Sequence, residues 1–144
     1  MGLKIELGPG ERVILGDCVI TNHDQRTRLL IEGTAPILRE KDIMSDARAD
    51  TPAKRIYLAV QLMYTSRDPA TYHELYFKLV REITQAAPSM WPLIENINNQ
   101  ILTGDLYKAL KEIKKLIAYE GKLLAHAQSP QSLRGRRQGD SRPA

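Results

Sequence analysis

The side chains able to carry out covalent or metal chemistry are few and poorly placed for it. His23, His73 and His126 have no Cys, Asp or Glu at metal-ligand spacing, so no zinc site is expected. Cys18, the one cysteine, has no activating base near it in sequence, which marks it as a small buried apolar residue rather than a nucleophile. Asp17, Glu40 and Asp42 can be imagined as paired carboxylates for acid–base work, but turn and surface roles account for them equally well. Gly8-Pro9-Gly10 is a poor phosphate cradle, because a strand and not a helix N-terminus follows it. No G-x-S-x-G, G-K-[ST] or H-E-x-x-H string occurs. The sequence thus predicts a non-enzyme without metal or cofactor. What remains is cationic. Lys4, Arg12, Arg26, Arg28, Arg39 and Lys41 lie in the first third of the chain and suit phosphate contact. Lys108, Lys111, Lys115 and Lys122 form a second set, either a solvated helix face or a phosphate-binding one. Tyr72 and Tyr76, one turn apart, and Trp91 offer rings for base stacking or, equally, for a core or interface.

Short strands must position the first set. Leu3, Ile5 and Leu7 alternate with Lys4 and Glu6, the period of a half-buried strand. Gly8-Pro9-Gly10 turns the chain, Arg12 to Leu15 makes a second strand, Gly16-Asp17 turns it again, and Cys18-Val19-Ile20 makes a third. After the polar loop 21–25, Arg26 to Ile31 returns as a fourth, with Thr27, Leu29 and Ile31 on one face and Arg26, Arg28 and Leu30 on the other. Ile37 to Lys41 makes a fifth, on which Arg39 and Lys41 share a face. The period then changes. Thr51 or Asp50 caps a helix entered through Pro52, with Ile56, Ala59, Val60 and Met63 on one side. Asp68-Pro69 opens a second helix, striped by Tyr72, Leu75, Tyr76, Leu79, Val80 and Ile83, which ends before Pro88. Ser89 caps a third, with Met90, Ile94, Ile97 and Ile101 inward and Gly104 closing it. Asp105 opens a fourth that runs to about Ala127. Leu106, Leu110, Ile113, Ile117 and Leu124 fall within an arc of about 60° on it, with the four lysines roughly opposite. The fold class is α+β: a small antiparallel β-sheet or barrel module, 1–48, followed by a module of about four α-helices, 49–128. With so many helices on so small a sheet, some apolar helix surface is expected to remain for a partner chain, a second copy included.

The chain has 144 residues, with 21 Lys and Arg against 17 Asp and Glu. Its net charge of +4 invites a nucleic-acid reading, but the distribution qualifies it. Residues 1–50 hold seven basic and nine acidic side chains, and without residues 129–144 the balance is seventeen to sixteen. The segment 129–144 is rich in Ser, Gln, Gly, Pro and Arg, and is expected to be a disordered basic tail. Its Arg134, Arg136, Arg137 and Arg142 serve either solvation or RNA phosphates. No run of eighteen apolar residues exists, and Lys4 and Glu6 stand where a signal peptide would be apolar. No membrane association and a reducing cytoplasm are therefore expected.

Several strings resemble one family. Pro9-Gly10-Glu11-Arg12-Val13-Ile14-Leu15-Gly16-Asp17, Arg26-Thr27-Arg28-Leu29-Leu30-Ile31-Glu32-Gly33, Ala35-Pro36-Ile37-Leu38-Arg39-Glu40-Lys41-Asp42-Ile43-Met44 and Asp50-Thr51-Pro52-Ala53-Lys54-Arg55-Ile56-Tyr57 look like the FlbT family, over about residues 2–125. That resemblance implies a flagellum-biogenesis regulator that binds the 5′ untranslated leader of flagellin mRNA, represses its translation and hastens its decay. It further implies a link to the small protein FlaF. Some family members act positively, so the sign of the effect does not transfer. The β module alone is also similar to CsrA-type carbon-storage regulators, through Gly10-Glu11, Ile14-Leu15-Gly16-Asp17, Arg28, Ala35-Pro36 and Arg39-Glu40. By that analogy Lys4 on the first strand and Arg39 on the last would face single-stranded RNA, although the stretch from Pro36 to Arg39 is shorter here. Two functions are thus in view. One is an RNA-binding regulator that grips a leader through the β module; the other is an interaction module whose helices dock FlaF or flagellin and touch mRNA only indirectly.

Overall fold

The computed structural model describes residues 2–127, so the basic segment 129–144 lies outside the described residues. Five strands come first, β1 (Gly2–Leu7), β2 (Arg12–Leu15), β3 (Cys18–Thr21), β4 (Thr27–Glu32) and β5 (Ile37–Arg39). Helices α1 (Pro52–Thr65), α2 (His73–Ala86), α3 (Trp91–Leu102) and α4 (Leu106–Ala127) follow, which makes the chain α+β. Contacts divide it into two compact units, one through Leu79 and one from Val80.

In the first unit the strands form two antiparallel sheets, a β1-β4 ribbon and a three-stranded sheet in the order β3-β2-β5. Ile5 and Leu7 of β1 and Val13 of β2 are buried together, with Ile20, Leu29, Ile31 and Ile37 packed against them. Period-2 alternation does this: it sends every second residue inward and leaves Lys4, Glu6, Arg28 and Leu30 exposed. At Gly8-Pro9-Gly10 the Glu11 N–H donates to the Gly8 carbonyl at 3.1 Å, and Gly10 takes the φ of +74° that a proline-led type II turn needs. β5 is shorter than expected. After Arg39 the chain enters a 3-10 turn, Glu40–Asp42, so Lys41 leaves the sheet and does not share a strand face with Arg39.

Helix α1 starts where Thr51 accepts a hydrogen bond from the Lys54 N–H at 3.3 Å, with Pro52 in the first turn. Besides its apolar stripe it carries three side chains that hold the main chain of residues 37–44. The Tyr64 hydroxyl bonds both the N–H and the carbonyl of Ile37 at 3.2 Å. Tyr57 donates to the Asp42 carbonyl, and the buried Gln61 takes the Met44 N–H at 2.7 Å and donates to its carbonyl at 3.0 Å. Tyr64 thereby occupies polar groups at the outer edge of β5, which would otherwise stay open to pairing.

The second helical segment opens as a 3-10 turn, Pro69–Tyr72, and becomes α-helical only at His73. Tyr76, Leu79, Val80 and Ile83 of its stripe are buried, whereas Leu75 is exposed. In the second unit Ser89 makes no cap, because a 3-10 turn over Pro88–Met90 leads directly into α3. Its hydroxyl instead accepts from Tyr119 at 2.9 Å. Gly104, at φ +80°, ends α3: its N–H reaches the Ile101 carbonyl at 3.1 Å and the Asp105 N–H reaches that of Gln100 at 2.8 Å. These two bonds make a Schellman stop and turn the chain into α4, which packs along α3. The buried seam of α4 is Ala109, Leu110, Ile113, Leu116 and Glu120. It is rotated from the expected stripe, so Leu106 and Ile117 are half-buried and Leu124 is exposed.

Candidate nucleic-acid interface

Lys4, Arg26 and Arg28, half of the cations expected of the β module, are on the outward side of the β1-β4 ribbon, and Arg39 approaches it from the other sheet. Antiparallel register sets Glu6 opposite Arg28 and Lys4 opposite Leu30. Arg26, just ahead of β4 and not within it, lays Nη1 3.2 Å from Glu6 Oε1, and Arg28 places Nε 3.5 Å from Glu6 Oε2. Arg39 reaches across from the other sheet and donates from Nη2 to the Glu6 main-chain carbonyl at 3.2 Å. Its Nε is buried and, among the described residues, has no hydrogen-bond partner. Beside this cluster runs an open groove of about 500 Å³ lined by Lys4, Ile5, Glu6, Arg28, Leu29 and Leu30.

Four of the six residues thus converge and two do not. Arg12 pairs with Glu40, its Nε 3.5 Å and its main-chain N–H 2.7 Å from Oε1. Lys41 is exposed on the turn that contains Glu40. Arg28 is 90% exposed and Glu6 47%, so these ion pairs are in water and worth only about 0–1 kcal/mol each. A ligand phosphate can therefore exchange for the carboxylate at little cost. Glu6 and Leu30 were not among the expected site residues. Alternation alone assigns Glu6 to a solvent face, and only the cross-strand register places it among the arginines.

The lysines of α4 point away from its buried seam, as their arc requires. Lys108 pairs with Asp105 at 3.6 Å, Lys115 with Glu112 at 3.1 Å, and Lys111 lies 4.9 Å from the Tyr107 ring centre. Tyr76 is no stacking platform. It is 1% exposed, meets Phe77 edge-on, and burial pushes its hydroxyl well above the ordinary tyrosine range. Trp91 is exposed. Cys18 also departs from expectation: it is exposed at the β2-β3 turn, where its thiol donates to Asp17 at 3.6 Å. Asp17 in turn holds Arg67 at 3.1 Å. Among the described residues no group of three His, Cys, Asp or Glu side chains is arranged to hold a metal, and no helix is long and apolar enough to cross a membrane.

Fold and surface together define a small α+β protein that presents a charge-laced two-stranded ribbon. A family model described as "Flagellar protein FlbT" matches residues 3–124. The chain belongs to the FlbT family. It is 64% identical over 124 residues to the "Probable flagellum biosynthesis repressor protein FlbT 1" of Bradyrhizobium diazoefficiens, covering 85% of each chain. It is 51% identical over 125 residues to the "Probable flagellum biosynthesis repressor protein FlbT" of Rhodopseudomonas palustris, covering 87% of this chain and 99% of that one. The "Flagellum biosynthesis repressor protein FlbT" of Caulobacter vibrioides is 35% identical over 138 residues, 94% and 98% of the two chains. No solved structure matches it significantly.

Proposed function

We propose that the protein is a cytoplasmic, non-catalytic regulator of flagellum biosynthesis that binds the 5′ untranslated leader of flagellin mRNA, represses its translation and promotes its decay. The relatives' description as flagellum biosynthesis repressors supports the regulatory part. The observation that carries the RNA part is the gathering of four cations about Glu6: Arg26 and Arg28 on its exposed carboxylate, Lys4 beside it along the groove, and Arg39 of the other sheet on its main-chain carbonyl. Single-stranded RNA suits such a surface, because its phosphates exchange with Glu6 and its splayed bases reach the groove. Decay then follows from altered ribosome access or a recruited nuclease. In a gel-shift titration of the leader, Arg26→Glu and Arg28→Glu are expected to weaken binding while the thermal melt stays unchanged. Each lost phosphate contact also lowers the salt slope by about 0.7. Unchanged affinity in both variants removes the ribbon as the RNA site.

A second reading is favoured by other residues. Trp91, Leu102, Tyr107 and Leu124 of the second unit are exposed, Leu102 by 79%. Here the helices dock a FlaF-like protein or flagellin and act on mRNA indirectly. A salt series separates the two readings, since an apolar interface changes little with salt and phosphate contact weakens steeply.

A further inference from the structure

Bare arginines on a sheet grip any phosphate, and here they are not bare. Glu6 stands between Arg26 and Arg28, and Arg39 holds its main chain. The carboxylate is exposed and takes no part in the core, so its position asks for another reason. It also lines the groove, whose other side chains include the cationic Lys4 and Arg28 and the apolar Leu30. A phosphate that enters there meets a like charge. A nucleobase meets an apolar wall for its face, cations for its ring-nitrogen and carbonyl acceptors, and one carboxylate that needs N–H donors.

We propose that Glu6 is the base-reading residue of the ribbon: it accepts a hydrogen bond from the exocyclic amino group of a single-stranded base in the groove, while Arg26 and Arg28 turn to the flanking phosphates. This rests on the RNA-binding reading above. Cytosine, adenine and guanine carry such an amino group. Uracil has no amino group: its one donor on that edge, N3–H, lies between two carbonyl oxygens that both repel the carboxylate, and one of them stands where cytosine has its amino group. The ribbon therefore selects against uracil-only RNA, and it does so with a residue that lowers its affinity for bare backbone.

The test uses the full chain, unmodified and as Glu6→Gln, with an oligocytidine and an oligouridine of equal length at neutral pH, read by fluorescence anisotropy. These pyrimidines differ only at the edge in question. The amide keeps the shape of the side chain but has no charge and can donate as well as accept, so it suits uracil too. The unmodified chain is expected to bind oligocytidine about tenfold more tightly than oligouridine. Glu6→Gln is expected to bind oligouridine more tightly than the unmodified chain does, with the preference reduced to near one. Equal binding of the two RNAs by the unmodified chain, or a preference that Glu6→Gln leaves intact, overturns the role of Glu6 and leaves RNA binding standing. If neither protein binds these RNAs or the leader at low salt, the RNA reading falls and the inference with it.

Discussion

Arg39 reaches from β5 to the main chain of Glu6 and buries its Nε on the way, whereas Arg26 and Arg28 lie in water. Equal charges at these positions therefore answer differently to reversal. Arg39→Glu puts a carboxylate beside a carbonyl oxygen and is expected to destabilise the fold by about 2 kcal/mol. Arg26→Glu and Arg28→Glu should stay within about 0.5 kcal/mol, all three measured by urea denaturation. Tyr76 supplies a pH dependence. Burial raises its folded-state pKa above that of the unfolded chain, so its contribution to stability is complete below pH about 10 and declines as the solution grows more alkaline. Thermal melts of the unmodified chain and Tyr76→Phe above that pH should converge, as the phenylalanine has no proton to lose. The pair formed by Arg26, just ahead of β4, and Arg28 within it was legible in the sequence because alternation puts both on one side. Glu6 was not, because nothing local to β1 says which residue of β4 lies across from it.

Periodicity located the helices well wherever capping chemistry agreed with it. Thr51-Pro52 starts α1 and Gly104 stops α3, both as read from residue type alone. Thr51→Ala is expected to cost about 1 kcal/mol by loss of the hydrogen bond to the Lys54 N–H, seen as a lower urea midpoint. Two glycines make a sharper contrast. A Cβ at Gly104 meets no atom, yet its positive φ makes Gly104→Ala unfavourable by about 1 kcal/mol. A Cβ at Gly121 also meets nothing, and its φ within α4 is ordinary, so Gly121→Ala should stabilise by about 0.5–1 kcal/mol. Opposite shifts in melting temperature would confirm the pair. The buried side of α4 was harder to read. Burial follows the line on which α3 lies, and that line takes in Ala109 and the polar Glu120, which a count of large apolar residues passes over. Lys41 was misplaced for a related reason: extended-chain alternation continues on paper past Arg39, where the backbone coils into a 3-10 turn.

For the molecule as a whole, the net charge of +4 is a poor guide to its surface. Residues 129–144 supply most of it, and the ribbon's cations sit around an acid. Removal of those sixteen residues leaves +1 and should reduce affinity for unrelated RNA far more than for the leader. Filter binding of both RNAs at several potassium chloride concentrations measures that difference. The grip of Tyr57, Gln61 and Tyr64 on residues 37–44 has a practical consequence. A fragment that ended at residue 48 would keep all five strands yet lose the side chains that occupy the last one's outer margin. Its main-chain donors and acceptors would then be offered to the next fragment in solution, so it should precipitate where a fragment ending after Thr65 stays dissolved.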